Sequence, residues 1–199
     1  MIQTLSIRGL AAISLCGLLV STGCAPLIIG GAATAGLAVA QERTIGDAID
    51  DTVIQARIKD KLLQVSSNLF LRVSTEVLEG RVLLTGSVPT AQDRVEAARL
   101  TWTVSGVREV LNELQVTERG GLADTLADAR ITTTLRFQIM GDRSVTDINY
   151  SIDTVNGIVY LIGIAQTQAE LDRVLGYARN ISGVKQVVSY VVLRNDPRR

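Results

Sequence analysis

The 199-residue chain contains no histidine, and both of its cysteines, Cys16 and Cys24, lie near the amino terminus. Histidine is the commonest general base and metal ligand, and thiolate or disulfide chemistry requires cysteine. Lysine and arginine together number 20, as do aspartate and glutamate, so no basic field indicates nucleic acid binding. No glycine-rich phosphate loop is present either. These absences predict a protein that is not an enzyme, with no metal, cofactor, nucleic-acid partner or small-molecule substrate.

The dominant positive feature is an internal repeat. Residues 51–116 align with residues 128–193 without a gap, at a constant offset of 77 residues. Three glycine pairs share this offset: Gly80 and Gly157, Gly86 and Gly163, Gly106 and Gly183. We interpret these as structural glycines, because each marks a turn or a close approach of the backbone. The pattern indicates a tandem duplication of a domain close to the smallest size that folds alone.

Each repeat has the same predicted order of elements: helix, strand, strand, helix, strand. In the first repeat the buried face of the first helix contains Ile54, Ile58 and Leu62, and Glu79-Gly80 is the turn between strands over residues 71–78 and 81–85. Thr90 is the expected N-cap of a helix to about residue 104, and a strand follows over 107–116. The second repeat predicts helices over 124–140 and 167–181, a hairpin turn at Asn156-Gly157 and a strand over 184–193.

The predicted fold class is therefore α+β, with a three-stranded mixed sheet packed against two helices in each domain. We place the first domain at residues 47–116, a linker at 117–123, the second domain at 124–194 and a polar tail at 195–199. Asp51 suits the N-terminus of a helix. Tyr150, Tyr160 and Tyr190 fall in predicted strands as sheet or core residues, and Trp102 is interpreted as a structural residue at a domain interface.

The amino-terminal 24 residues have the pattern of an export signal. Arg8 is the only charge before an apolar run, and Ser21-Thr22-Gly23 precede Cys24. This end resembles a bacterial lipobox, although Ser21 stands where Leu, Val or Ile is preferred. The resemblance implies cleavage of residues 1–23, a diacylglycerol on the Cys24 thiol and an acyl chain on the new amino terminus. An uncleaved membrane helix is the alternative.

Residues 24–46 would then form a lipidated, Gly/Ala-rich apolar tether to the first domain. Its apolar run over residues 27–40 is short for a bilayer-spanning helix of about 20 residues. Ala25 follows the cysteine where an aspartate would suggest retention in the inner membrane. By resemblance to lipoprotein sorting, Ala25 favours the periplasmic face of the outer membrane.

The repeat resembles the BON domain in its order of elements, its hairpin glycine, the glycine that closes the second strand and the Ser-Gly-Val triplets at 105–107 and 182–184. Two such domains behind a lipobox are similar to dual-BON outer-membrane lipoproteins. The resemblance implies an envelope-integrity role without catalysis. It also implies that the second domain binds anionic phospholipid through its first helix and adjoining loops.

Exposed positions that differ between the repeats predict where a membrane would bind. Phe137 stands where the first repeat has Asp60, and an apolar residue at a position that tolerates charge is expected to lie outside the core. The predicted phospholipid site contains Phe137, Met140, Arg136, Arg130 and Arg143. Apolar residues ringed by arginines suit the lipid interface. Alternatively, Phe137 packs against the first domain or the linker.

A second functional hypothesis is a periplasmic scaffold. In that reading the domains bind an outer-membrane assembly partner or a peptidoglycan-associated protein, and lipid serves only as the anchor. Unchanged lipid binding after loss of Phe137 and Arg136 would favour the scaffold.

Overall fold

A computed structural model describes residues 45–117, 122–146 and 149–197. The predicted signal, Cys24 and the apolar run over 27–40 lie outside the described residues. The first domain contains α1 (Ile45–Val65), α2 (Ser67–Arg72), β1 (Val73–Leu78), β2 (Arg81–Val88), α3 (Ala91–Trp102), β3 (Glu109–Asn112) and β4 (Gln115–Val116). The second domain contains α4 (Leu122–Gly141), β5 (Tyr150–Val155), β6 (Ile158–Ala165), α5 (Gln168–Asn180) and β7 (Gln186–Leu193).

Both domains are α+β units with a mixed sheet, which confirms the predicted fold class. In each sheet the central strand pairs antiparallel with the strand before it and parallel with the strand that follows α3 or α5. In the first domain that last strand is interrupted, so β3 and β4 pair with successive parts of β2. The hairpin registers keep the repeat offset, since Val73 pairs with Gly86 and Tyr150 with Gly163.

The two hairpin turns are tied to the first helix of their domain. Asn156 and Gly157 both have positive φ, of 53° and 81°, as a type I′ turn requires. The Asp128 carboxylate accepts from both turn amides, at 2.7 Å and 2.8 Å. Asp51 accepts from the equivalent amides in the first domain. The expectation that Asp51 marks a helix N-terminus is therefore wrong, because α1 begins at Ile45 and the carboxylate fastens the hairpin instead.

The first domain departs from the predicted boundaries in its short helix α2. A strand was expected from residue 71, but α2 occupies residues up to Arg72. The helix forms because the Ser66 hydroxyl accepts from the Leu69 amide as an N-cap, and because Leu69 is buried in the core. Ser67 and Asn68, which lie outside the elements predicted from the sequence, are thus the first residues of a helix.

Each domain has its own hydrophobic core. The predicted faces of the first helices are buried: Ile54, Ile58 and Leu62 in α1, and Ile131, Leu135 and Ile139 in α4. Gly86 and Gly163, which were expected to close the second strand of each domain, lie inside β2 and β6 instead. A side chain is excluded there, since a Cβ on Gly163 would overlap the Asn149 carbonyl oxygen. Thr90 and Thr167 are the N-caps of the second helices, α3 and α5.

The sheets of the two domains pack against each other through the faces that point away from the helices. A third apolar cluster contains the buried side chains of Leu83, Tyr160 and Ile162. Polar contacts surround it: the Tyr190 hydroxyl donates to Glu113, and the Asn156 amide donates to Gln115 Oε1 at 2.8 Å. Tyr150, Tyr160 and Tyr190 are strand residues, as predicted. Trp102 is exposed and absent from this cluster, so its interpretation as an interface residue is wrong.

This interface has approximate two-fold character. Strand β2 contacts β5, and the equivalent strands β6 and β1 contact each other. Glu113 and Tyr190, which are 77 residues apart, are bonded directly to one another. The apolar cluster contains three further equivalent pairs: Leu83 with Tyr160, Leu78 with Val155, and Leu111 with Val188. Each domain therefore presents the same patch to its duplicate, as subunits do in an isologous dimer.

Candidate functional site

Helix α4 has two apolar faces. One is the core face described above. The other is exposed and contains Leu122, Leu126, Phe137 and Met140, which are 77%, 61%, 67% and 58% exposed. These residues recur at helical spacing, so they lie along one side of the 20-residue helix, over a length of about 27 Å. These four side chains do not contribute to the core of the second domain. An exposed apolar stripe of this length is typical of a binding surface.

Phe137 lies outside the core, as predicted from its exchange with Asp60. It is not covered by the first domain, since Phe137 remains 67% exposed with both domains packed together. The alternative that Phe137 packs against the first domain is therefore wrong. At the equivalent position of α1, Asp60 accepts from Gln64 at 2.7 Å on an exposed helix surface.

Two of the three predicted arginines, Arg130 and Arg136, lie beside the exposed stripe of α4. Arg130 is four residues after Leu126, Arg136 is four residues before Met140, and all three arginines are exposed. One guanidinium nitrogen of Arg130 donates to the Ser182 carbonyl at 3.0 Å. Because a guanidinium has five N–H donors, this contact orients Arg130 and leaves further donors for an anion. Arg143 follows α4 in the turn that leads to β5.

The acidic residues of α4 lie on a different side of the helix. Asp128 bonds the hairpin turn, as described above, and Asp124 is one helical turn before it. Carboxylates near the stripe would repel an anionic surface. Because Asp124 and Asp128 lie on the other side of the helix, the charged residues of α4 that are closest to the stripe are arginines.

The turn that carries Arg143 is held in place by α5. The Asp142 carboxylate accepts from the Tyr177 hydroxyl at 2.7 Å and from the Ser144 amide at 2.8 Å. The hydrogen bond from Tyr177 lowers the pKa of Asp142, and the same bond raises the pKa of Tyr177. Arg173 lies 3.4 Å from this carboxylate. The turn is therefore fixed by polar contacts with the second helix of its own domain.

A buried carboxylate fixes the other end of the same turn. Glu170 accepts from the Tyr150 hydroxyl at 3.0 Å, from the Thr146 amide at 3.2 Å and from the Gln166 amide at 3.0 Å. Burial, together with the charge of Glu170, raises the pKa of Tyr150. A carboxylate with three donors is satisfied without a metal or a cation partner. The network is structural and keeps the start of β5 next to α5.

Sequence analysis missed Leu122 and Leu126. We placed the start of the helix at residue 124, which removed one of these leucines from the helix and hid the i, i+4 relation between them. The signal was present, because the spacing of 122, 126, 137 and 140 is helical throughout. The predicted site therefore covered only the carboxyl-terminal half of the exposed stripe.

Comparison with known proteins identifies the family. The BON-domain family model matches residues 50–118 and 127–195. The chain therefore belongs to the BON-domain family, and it carries two tandem copies of the domain.

Relatives match most of the chain. An uncharacterized protein of Anaplasma centrale, encoded in the gshII 5′ region, is 40% identical over 76% of this chain and 99% of its own length. The outer membrane lipoprotein DolP of Haemophilus influenzae is 33% identical over 83% of this chain and 86% of its own length. The osmotically inducible protein Y of Escherichia coli is 27% identical, over 72% of each chain.

Among residues 45–117, 122–146 and 149–197, no three His, Cys, Asp or Glu side chains are grouped as metal ligands would be. Within the same ranges, no helix has the length and apolar character needed to cross a bilayer.

Proposed function

We propose that this chain is a lipid-anchored protein of the outer membrane, on its periplasmic face, whose second domain binds anionic phospholipid and thereby maintains envelope integrity. The observation that carries the proposal is the exposed apolar stripe of α4 with arginines beside it. The similarity to a protein named outer membrane lipoprotein DolP supports the membrane assignment.

The apolar stripe and the arginines beside it would each contribute to the free energy of membrane binding. A fully buried Phe, Leu or Met side chain contributes about 1.5–3 kcal/mol, and the exposed stripe residues would enter the boundary between headgroups and acyl chains. Each arginine close to an anionic leaflet adds about 1 kcal/mol. Arg130, Arg136 and Arg143 would bind lipid phosphates while the stripe contacts the acyl region. Salt is expected to weaken the arginine contribution and to leave the apolar contribution.

The anchor is a separate part of the proposal. Cys24 would carry a diacylglycerol and an acyl chain, which together hold the chain at the membrane independently of the folded domains. The second domain would therefore act on a surface to which it is already tethered. Its affinity for lipid needs only to orient the domains, since the anchor supplies a high local concentration.

Vesicle flotation tests the role of the second domain. Residues 42–199 lack Cys24 but retain both hydrophobic cores, so they report binding by the folded domains alone. We expect them to float with vesicles that contain phosphatidylglycerol, to float less at high salt, and to remain unbound to vesicles of phosphatidylcholine alone. Phe137→Ser is expected to lose most of this binding.

Trp102→Ser is the matched control, because Trp102 is another exposed aromatic residue, on a helix of the first domain. It is expected to bind vesicles as the unchanged fragment does. If the fragment failed to float with any vesicle, or if Phe137→Ser bound normally, the phospholipid role of α4 would be wrong.

The scaffold alternative has one specific observation in its favour. Val95 and Trp102 are exposed on α3 of the first domain and lie two helical turns apart, with Arg99 between them. Tryptophan and arginine are enriched among the residues that dominate protein interfaces. Under this alternative, Trp102→Ser would impair envelope integrity in cells while leaving vesicle binding unchanged, and Phe137→Ser would have no effect in either assay.

A further inference from the structure

The interface between the domains contains a group of four charged residues, of which the membrane proposal uses only Arg136. Glu76 of β1 and Asp153 of β5 are equivalent positions of the repeat, and they face each other across the approximate two-fold axis. Lys59 of α1 and Arg136 of α4 are also equivalent, and each lies near the carboxyl pair. The duplication has thus placed two acids and two bases together at one contact.

Each carboxyl is held by a hydroxyl group of the opposite domain. The Thr85 hydroxyl of β2 donates to the Asp153 carboxylate, and Ser151 of β5 provides a hydrogen bond to Glu76. Asp153 also accepts from the Thr154 amide at 3.0 Å. Both carboxyls are only partly exposed. The Thr85 and Ser151 contacts cross between the domains and exist only while the two sheets are packed together, so separation of the domains would remove both hydroxyl partners and expose the carboxyls to water.

The two cations do not neutralise the pair directly. The Lys59 ammonium donates to the Val73 carbonyl at 2.7 Å and lies 5.8 Å from the centre of the Phe70 ring. No ion pair within 4.0 Å joins Lys59 or Arg136 to either carboxyl among the described residues. Asp128 of α4 adds a further negative charge near Asp153. The two carboxyls therefore lie at a partly buried contact without a directly bonded cation to neutralise them.

We infer that packing of the two domains is coupled to protonation of the Glu76–Asp153 pair, so that the interface is tight in acid and loosens as the pH rises. Burial is the main cause that raises the pKa of each carboxyl. A neighbouring negative charge adds to it in both cases, since Asp153 raises the pKa of Glu76 and Asp128 raises the pKa of Asp153. The packed form therefore binds protons more strongly than the separated form. Its extra stability is complete below the ordinary carboxyl pKa and is lost as the pH rises through the raised values.

The first test uses the intact chain in a non-ionic detergent. Thermal unfolding is followed from about pH 4.5 to about pH 7.5 for the unchanged chain, for Glu76→Gln, Asp153→Asn and their double variant, and for the exposed control Asp60→Asn. A neutral amide keeps a polar partner for Thr85 and Ser151 but cannot ionise. We expect the double variant to gain stability relative to the unchanged chain as the pH rises, and Asp60→Asn to follow the unchanged chain.

The second test measures packing directly and covers the case in which a variant alters the fold of one domain. Each domain has its own core, so residues 42–117 and 122–199 are prepared as two chains and their affinity is measured by calorimetry. One unit of raised pKa corresponds to about a tenfold change in affinity once the group ionises. We therefore expect the affinity of the unchanged domains to fall at least about tenfold between acid and neutral pH. The affinity between the Glu76→Gln first domain and the Asp153→Asn second domain is expected to fall by less than about twofold. Equal pH dependence in both pairs, or no association of the unchanged domains, would overturn the inference.

Discussion

The first helices of the two domains bury the same three repeat positions but expose different surfaces. In α1 the position opposite the core holds Asp60, which bonds Gln64 within its own helix. In α4 that position holds Phe137, which is exposed within a longer apolar stripe. After a duplication, packing preserves core positions in both copies, whereas exposed positions diverge. The comparison separates residues that the fold requires from residues that require another explanation.

The largest expected effect tests what the domains share. Ile58 and Leu135 lie at equivalent, fully buried positions, and each is replaced by alanine in a separate variant. Each is expected to destabilise its own domain by about 2–5 kcal/mol, because each removes a buried side chain and leaves a cavity. Urea unfolding of the intact chain measures both. A large cost at one position and none at the other would contradict the view that the two cores are equivalent.

The second prediction exchanges the residues that distinguish the helices. Phe137→Asp is expected to weaken binding to phosphatidylglycerol vesicles by about tenfold to a hundredfold, since burial of a phenylalanine is worth about 1.5–3 kcal/mol. Asp60→Phe in the first domain is the reciprocal change. It is expected to leave the affinity of the second domain unchanged, because Asp60 lies on α1. Vesicle titration of residues 42–199 compares the two.

The third prediction compares the cation that both helices share. Arg136→Gln should reduce vesicle affinity by about fivefold, equivalent to about 1 kcal/mol, and should reduce its dependence on salt. Lys59→Gln should instead leave vesicle binding intact and lower the stability of the first domain, because Lys59 donates to the Val73 carbonyl. Equal loss of vesicle binding in both variants would remove the distinction between the domains.

The smallest effect concerns the interface on which the domains meet. Burial and the hydrogen bond to Glu113 raise the pKa of Tyr190 to about 12. The stability contributed by the neutral hydroxyl is therefore complete below about pH 10 and is lost as the pH rises through about 12. Tyr190→Phe is expected to cost about 1 kcal/mol, as for a typical hydrogen bond, and to flatten this part of the stability profile. Thermal unfolding across the alkaline range checks it, and an unchanged alkaline slope would contradict it.

Core positions could be predicted from the sequence because helical periodicity depends on one buried face. Ile131, Leu135 and Ile139 follow this rule, and the offset of 77 residues transfers it from one domain to the other. The packing of sheet on sheet was not predicted, although a signal existed. Strand β6 is apolar at nearly every position, from Ile158 to Ala165, which is the pattern of a strand that is covered on both faces.

The remaining differences between the predicted and the observed elements arise where a local contact determines the structure. Helix α2 depends on the Ser66 cap and on burial of Leu69, and the burial cannot be read from a segment of serines and asparagine. The amino-terminal half of the exposed stripe depends on where α4 begins. Residue identity predicted Phe137 as a surface residue, but only the helix boundary at Leu122 adds Leu122 and Leu126 to the same side.

The two-fold interface has a consequence for how this chain can change over generations. Glu113 and Tyr190 descend from one ancestral position and now touch each other. A substitution at such a position alters the contact from one side only, whereas in a symmetric dimer of single domains the same mutation would appear on both sides at once. After duplication, the two residues that meet at such a contact can therefore differ from each other. In this chain a carboxylate, Glu113, faces a phenol, Tyr190.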